Sequence, residues 1–318
     1  FIILLIIANI ALRLPTTPSQ IGWDSYRTTE LAKLISDYKF VPYTLHPLSI
    51  FGFYPYSYAT GVPLILTELS ILSGLSLEMI IFIFSLITSL IGILAIMSLA
   101  RKINNNGIFV LITTFIFSTS LLFLYLTTWS ISTRALFVAV FPYLIKLILD
   151  LKEKITIKKI LVISVVLFLL MVIHHLFIFS LVVIFSFVAT KLCMSILNKA
   201  KIKREGRSFS LFLIVLTIVL FLLPFLIDSF TINNQIQNTD DLWTLLLRYA
   251  RDMGIPVLFW PVGLFILLLK KSKSFTSWFL IFYSILLMPL LSVYVYVPSV
   301  ILPIVSILTG GGFVIFIN

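Results

Sequence analysis

Asp24 has the strongest claim to chemistry, standing in WDSYRTTELAKLI at the head of a helical stretch with Arg27 close behind. A carboxylate there serves by default as a helix cap, because free backbone N–H groups and the helix dipole favour negative charge. Its other use is proton transfer, since an accessible carboxylate can take a proton from a hydroxyl. Further along the segment 13–61 come Tyr43, His46 and the rings Phe51, Phe53, Tyr54, Tyr56 and Tyr58. Such rings form either an interfacial belt or flat walls against which a sugar or isoprenoid docks. Arg134, in TTWSISTRA, is a candidate for binding phosphate; its ordinary alternative is snorkelling to lipid headgroups. His174–His175 lies between two apolar runs. Neighbours on a helix point about 100° apart, so this pair needs further ligands to hold a metal, and a structural or headgroup-facing role is the default. The stretch 233–254 holds Asp240, Asp241, Arg248, Arg251 and Asp252. Asp240 reads as a helix cap and Arg248 as a second phosphate candidate. Should a metal be held, Asp24, Asp240 and Asp241 are the acids to consider.

The elements that position these residues follow from composition. With 60% hydrophobic and 11% charged residues over 318 positions, and a mean hydropathy of +1.17, the chain is not an ordinary soluble domain. The expected fold is all-α and polytopic, with about ten spans, since about 20 apolar residues cross a bilayer. The apolar runs are 1–12, 76–99, 107–127, 135–151, 159–174, 176–197, 209–228, 254–270, 275–292 and 299–317. Alternate turns are basic: Arg101 and Lys102; Lys152, Lys154, Lys158 and Lys159; Lys199 through Arg207; then Lys270, Lys271 and Lys273. These are the cytoplasmic turns, which puts 13–75 outside as a long first extracytoplasmic loop. Parity makes 61–76, with Pro63, Glu68 and Gly74, an interfacial or re-entrant helix of that loop.

Two amphipathic helices are expected to lie at the surface, one with a stripe of Leu31, Leu34, Ile35 and Tyr38, the other with Leu242, Leu245, Leu246 and Tyr249. The net charge of +11 is spread over turns without interleaved stacking rings, so it reports topology and not nucleic acid. Cys193 is the only cysteine, which excludes an intrachain disulfide. TGGG at 309–312 lacks the Lys of a phosphate loop and points to close helix packing or a kink. Residues 1–318 read as a single membrane domain, and both ends, falling in or beside apolar runs, are expected to be cuts.

The strings WDSYRTTELAKLI and FYPYSYATGVPLILTELSILSGLSLE resemble the first outer loop of GT-C class glycosyltransferases, above all the oligosaccharyltransferase catalytic subunits. Protein O-mannosyltransferases and lipid A aminoarabinose transferases share the broader plan. The resemblance implies a sugar donor on polyprenyl-phosphate or polyprenyl-diphosphate and work on the extracytoplasmic face of the plasma membrane. It makes Asp24 essential, acting on the acceptor or helping hold a divalent metal. Arg27, His46, Tyr54, Tyr56, Arg134, His174, His175 and Arg248 are then the expected substrate contacts. Two features depart from the pattern: the second outer turn offers Ser130, Ser132 and Arg134 where the family has an acidic pair, and the Trp-Trp-Asp-Tyr-Gly signature is absent. A divalent metal is thus unsupported by that turn, and a metal-independent lipid-linked sugar transferase fits better. The rivals are a transporter or lipid flippase and a non-catalytic assembly subunit. Transporters usually carry ionisable groups at the bilayer midplane, whereas Lys146, Asp150, Lys191 and Asp228 all fall near span ends.

Overall fold

The computed structural model describes residues 2–17, 19–42, 59–199, 207–226, 242–270, 272–291 and 296–317. Among them every regular element is a helix: α1 Ile2–Ala11, α2 Trp23–Tyr38, α3 Gly61–Ser73, α4 Leu77–Ile103, α5 Gly107–Thr119, α6 Leu121–Thr127, α7 Thr133–Asp150 and α8 Ile157–Ile173; then α9 Ser180–Lys199, α10 Arg207–Leu226, α11 Leu242–Met253, α12 Trp260–Leu269, α13 Phe275–Leu287 and α14 Val297–Ile317. Leu77–Ile103, His175–Leu197 and Val297–Val314 are long and apolar enough to cross a membrane, and α5 with α6, bent by 58°, makes a fourth if the pair is one span. Apolar side chains such as Leu94, Phe115, Phe168 and Phe185 stand exposed on these and neighbouring helices. Water would penalise such rows, whereas lipid does not, so the chain is built as a membrane protein.

Caps and breaks follow the local sequence. Glu78 opens α4 and Arg101 with Lys102 closes it, each charge matching its end of the dipole. Ser120, Ser132, Thr156 and Ser274 cap α6, α7, α8 and α13 through side-chain oxygens that accept backbone N–H groups. The 13 residues of α3 rise about 20 Å, short of the roughly 30 Å hydrocarbon core.

The chain gathers into two compact units, one of Phe1–Leu99 with Phe117–Ser180, the other of Ala100–Ile116 with Leu181–Asn318. In the first, α2 packs on α3, and its buried residues are Ser25, Thr28, Ala32 and Ile35. Of the apolar stripe, Ile35 is buried, Leu31 and Leu34 are half-buried and Tyr38 is exposed. Small residues win the interface because α3 comes close enough for the Thr67 hydroxyl to donate to the Ala32 carbonyl at 2.8 Å.

A second feature of this unit is Arg13, fully buried just past α1. Its guanidinium donates to Thr127 Oγ1 at 2.8 Å, the Asn9 carbonyl at 3.1 Å, Asn9 Oδ1 at 2.8 Å and the Ser118 carbonyl at 2.9 Å, and lies 5.3 Å from the Phe123 ring centre. The Ser118 carbonyl belongs to the frayed end of α5, where the bend into α6 takes away helical partners, so the cation serves as a C-terminal cap in trans. Burial lowers Arg13 to about 10, which leaves it charged at neutral pH.

In the second unit α12 and α14 meet closely. A Cβ on Gly263 would stand 2.2 Å from the Leu308 carbonyl oxygen. Within TGGG, a Cβ on Gly310 would stand 2.4 Å from Thr113 Oγ1, so at that glycine close packing explains the motif. An apolar groove of ≈ 460 Å³ runs among Phe221, Leu245, Tyr249, Trp260, Leu264 and Met288.

Candidate functional site

The candidate site lies in the first unit, where the start of α2 meets the turn between α6 and α7. Gly22 precedes α2 with φ of +90°, a conformation that side chains rarely adopt, and a Cβ there would stand 3.3 Å from the Tyr125 hydroxyl. This glycine is the cap position; Asp24 is the second helical residue, and the bonds of its side chain run to Arg134 and Ser132. The expectation that Asp24 caps the helix is therefore replaced. The carboxylate keeps the favourable end of the dipole, but its oxygen is spent elsewhere.

The partners come from the turn 128–134. Ile21 N–H donates to the Trp129 carbonyl at 3.1 Å, and Ile131 N–H donates to Ser25 Oγ at 2.9 Å. Ser25 Oγ, whose own proton goes to the Ile21 carbonyl at 2.5 Å, lies 3.3 Å from Ser130 Oγ, and Ser85 Oγ of α4 donates to the Ser130 carbonyl at 2.9 Å. Trp129 holds φ of 39°, a left-handed conformation costly for a bulky residue, which this set of bonds enforces. So clamped, the turn delivers two donors to Asp24 Oδ2: Arg134 Nη2 at 2.6 Å and Ser132 Oγ at 3.2 Å. Ser132 also accepts the Arg134 N–H as the cap of α7, which fixes the arginine's launch point.

The ion pair joins residues 110 positions apart and is only partly screened, with Arg134 and Asp24 side chains 21% and 41% exposed. Exposure at that level limits its worth to about 1 kcal/mol, so it is strong enough to form and weak enough to open.

His174 and His175 belong to the same unit. His174 ends α8 in an extended conformation, with φ −161° and ψ 142°, and its Nδ1 accepts the Leu176 N–H at 3.1 Å. An accepting Nδ1 is unprotonated, so the ring is neutral with its proton on Nε2. The helical assumption that pointed the two rings apart fails here: with His174 out of the helix, the imidazole centres are 4.1 Å apart. The positive charge of Arg134 bears on both rings.

Of the residues singled out from the sequence, Asp24 and Arg134 are in direct contact, and His174 and His175 feel the same cation. Arg27 is exposed on α2. Arg248 is on α11 in the second unit. His46, Tyr54, Tyr56, Asp240 and Asp241 lie outside the described residues. Among the described residues no three His, Cys, Asp or Glu side chains gather as metal ligands. Ser130 and Ser132 stand in the turn that the sequence offers beside Arg134, whereas Ser25, in WDSYR, is a further member of the site that sequence reasoning does not single out. No family model matches the chain, and no curated protein matches it in sequence.

Proposed function

We propose that this protein is an integral-membrane glycosyltransferase of the GT-C class, moving a sugar from a polyprenyl-phosphate or polyprenyl-diphosphate donor to an acceptor hydroxyl. The reading rests on one observation: Asp24 meets Arg134 at 2.6 Å, a carboxylate from the start of α2 and a guanidinium from the start of α7. In this reading the acceptor oxygen attacks the anomeric carbon in a single displacement while Asp24 takes its proton. The bond from that carbon to the phosphate oxygen breaks, the phosphate leaves with the electron pair, and Arg134 stabilises the charge it gains. Ser132 holds the carboxylate in place. The proposal includes ten spans, with the basic turns in the cytoplasm and this site on the extracytoplasmic face of the plasma membrane.

Transfer of radiolabelled sugar from a polyprenyl-phosphate donor, measured for the wild type and Asp24→Asn, tests it. The expected loss is about 10²- to 10⁴-fold, the usual contribution of a general base. Equal turnover removes Asp24 from catalysis, and no turnover in either protein favours a transporter or an assembly subunit. A membrane-impermeant thiol reagent against a single cysteine at position 27, in a Cys193→Ser background, is expected to label from the outside. Labelling only after the membrane is permeabilised overturns the topology.

A further inference from the structure

The three glycines of TGGG are not alike. Gly310 lies against Thr113, but a Cβ on Gly311 would come no closer than 3.9 Å to a described atom, and one on Gly312 would meet none within 4 Å. Both belong to α14, and glycine is a poor helix former that close packing does not call for at these two positions. Gly312 is nonetheless buried. A buried residue with open space where its side chain would stand borders a cavity.

That cavity, of ≈ 440 Å³, is lined by residues of the second unit alone. Its volume falls within the range of about 300–1,000 Å³ common to ligand sites. The polar part of its lining gathers at helix ends: Lys270 just past α12, Ser274 capping α13 and Thr276 in the first turn of α13. Ile266, Leu280 and Ile307, a turn or more inside their helices, make its depth apolar. Among the described residues no acid lines it, and Arg101 and Lys102 share the last turn of α4 with the lining residue Ile103. The backbone of Lys270 is engaged, its N–H with the Ile266 carbonyl at 3.1 Å and its carbonyl with Lys273 Nζ at 2.9 Å. Its ammonium is spent on no described residue, and Lys270 is exposed.

A cationic mouth with hydroxyls, set over an apolar depth in a membrane protein, suits an amphiphile with an anionic head. We propose that this cavity holds an anionic phospholipid, its phosphate against the Lys270 ammonium and the Thr276 hydroxyl, and one acyl chain among Ile266, Leu280 and the space that Gly311 and Gly312 leave. Lysine serves here as a point charge, and basic pockets between membrane helices take anionic headgroups in this way. In the proposed topology the mouth opens on the cytoplasmic leaflet, where such lipids gather. The lipid site uses no residue of the Asp24 site and stands whether or not the chain transfers sugar.

Native mass spectrometry of the full chain tests it, by counting lipids retained in a maltoside detergent that holds dioleoyl phosphatidylglycerol and dioleoyl phosphatidylcholine at equal concentration. The wild type is expected to keep phosphatidylglycerol about fivefold over phosphatidylcholine, the worth of one lysine beside an anionic headgroup. Lys270→Glu is expected to abolish that preference. Gly312→Leu, whose side chain enters the cavity, is expected to retain about tenfold less phosphatidylglycerol. Thermal unfolding without added lipid shows whether each variant folds; if Gly312→Leu does not, the exposed Lys270 carries the test. Equal retention of the two lipids by the wild type overturns the proposal, as does an unchanged preference in Lys270→Glu or unchanged retention in a folded Gly312→Leu. Inorganic phosphate in excess is expected to leave the lipid in place, and displacement assigns the mouth to a free anion and overturns the lipid.

Discussion

Both units bring helices together at a glycine, Gly61 against the Val172 carbonyl in the first and Gly263 against the Leu308 carbonyl in the second, but they differ in what else crosses between elements. In the first unit a buried guanidinium, an ion pair and a chain of serine hydroxyls join α1, α2 and α4 to the α5–α7 region. In the second, among the described residues, single hydroxyls close onto distant carbonyls: Tyr249 onto Leu291, Tyr283 onto Val300 and Thr309 onto Pro256. Its groove is walled almost wholly by apolar side chains. Neutral hydroxyl-to-carbonyl bonds fix helices in an apolar medium at little cost, whereas a buried cation must be surrounded by acceptors before it is tolerable. The first unit accepts that cost at Arg13, which ties the end of α1 to the bend between α5 and α6; the second buries Lys273, whose ammonium donates to the nearby Lys270 carbonyl.

The comparison can be broken by substitution. Gly263→Ala is expected to have the largest effect on stability, about 3 kcal/mol, because the new methyl meets backbone that cannot step aside. Gly61→Ala should cost less, as its nearest atom would be 2.9 Å away and not 2.2 Å. Thermal unfolding in detergent orders the two, and the reverse order contradicts the packing described for the second unit. Arg13→Met comes next, at about 2 kcal/mol, since it leaves the Ser118 carbonyl and Asn9 Oδ1 buried without their donor. A neutral result here means that Arg13 is not the cap of α5.

Ser25→Ala removes a donor to the Ile21 carbonyl and an acceptor for Ile131 N–H, and about 1 kcal/mol is expected. It should also loosen Asp24, so transfer should fall by more than the stability change alone explains. Lys146→Met, which breaks an i,i+4 pair with Asp150 within α7, is expected to change stability by no more than about 0.5 kcal/mol.

Much of the helical framework was legible from hydropathy, because in lipid every backbone group must be satisfied within its own segment and a long apolar run has few alternatives to a helix. The described α3 covers the run from Gly61, which hydropathy alone leaves open between a span and an interfacial helix and which charge parity assigns to the second. Asp24 and Arg134 could each be chosen, from the head of a helix and from a lone charge in a tight turn, but nothing in the sequence pairs them across 110 positions. The break at His174–His175 is legible as the gap between two apolar runs, and α8 ends at Ile173 there; what the sequence does not show is that His174 turns extended, which brings the two rings together. On α2, counting large apolar residues finds the stripe of Leu31, Leu34, Ile35 and Tyr38 but not the small buried residues Ser25, Thr28 and Ala32, the last of which meets Thr67 of α3. Arg13 left a trace that was passed over. Asn9 is a polar residue inside an apolar run, one helical turn before an arginine, and that spacing puts both on one face.

The most direct test of the account is a double-mutant cycle on sugar transfer with Asp24→Asn and Arg134→Gln. If the two residues act as one unit, the double variant is expected to be no slower than the slower single variant, because either change already disables the pair. Losses that multiply, as for two independent residues, would contradict the claim that this ion pair is the working centre of the protein.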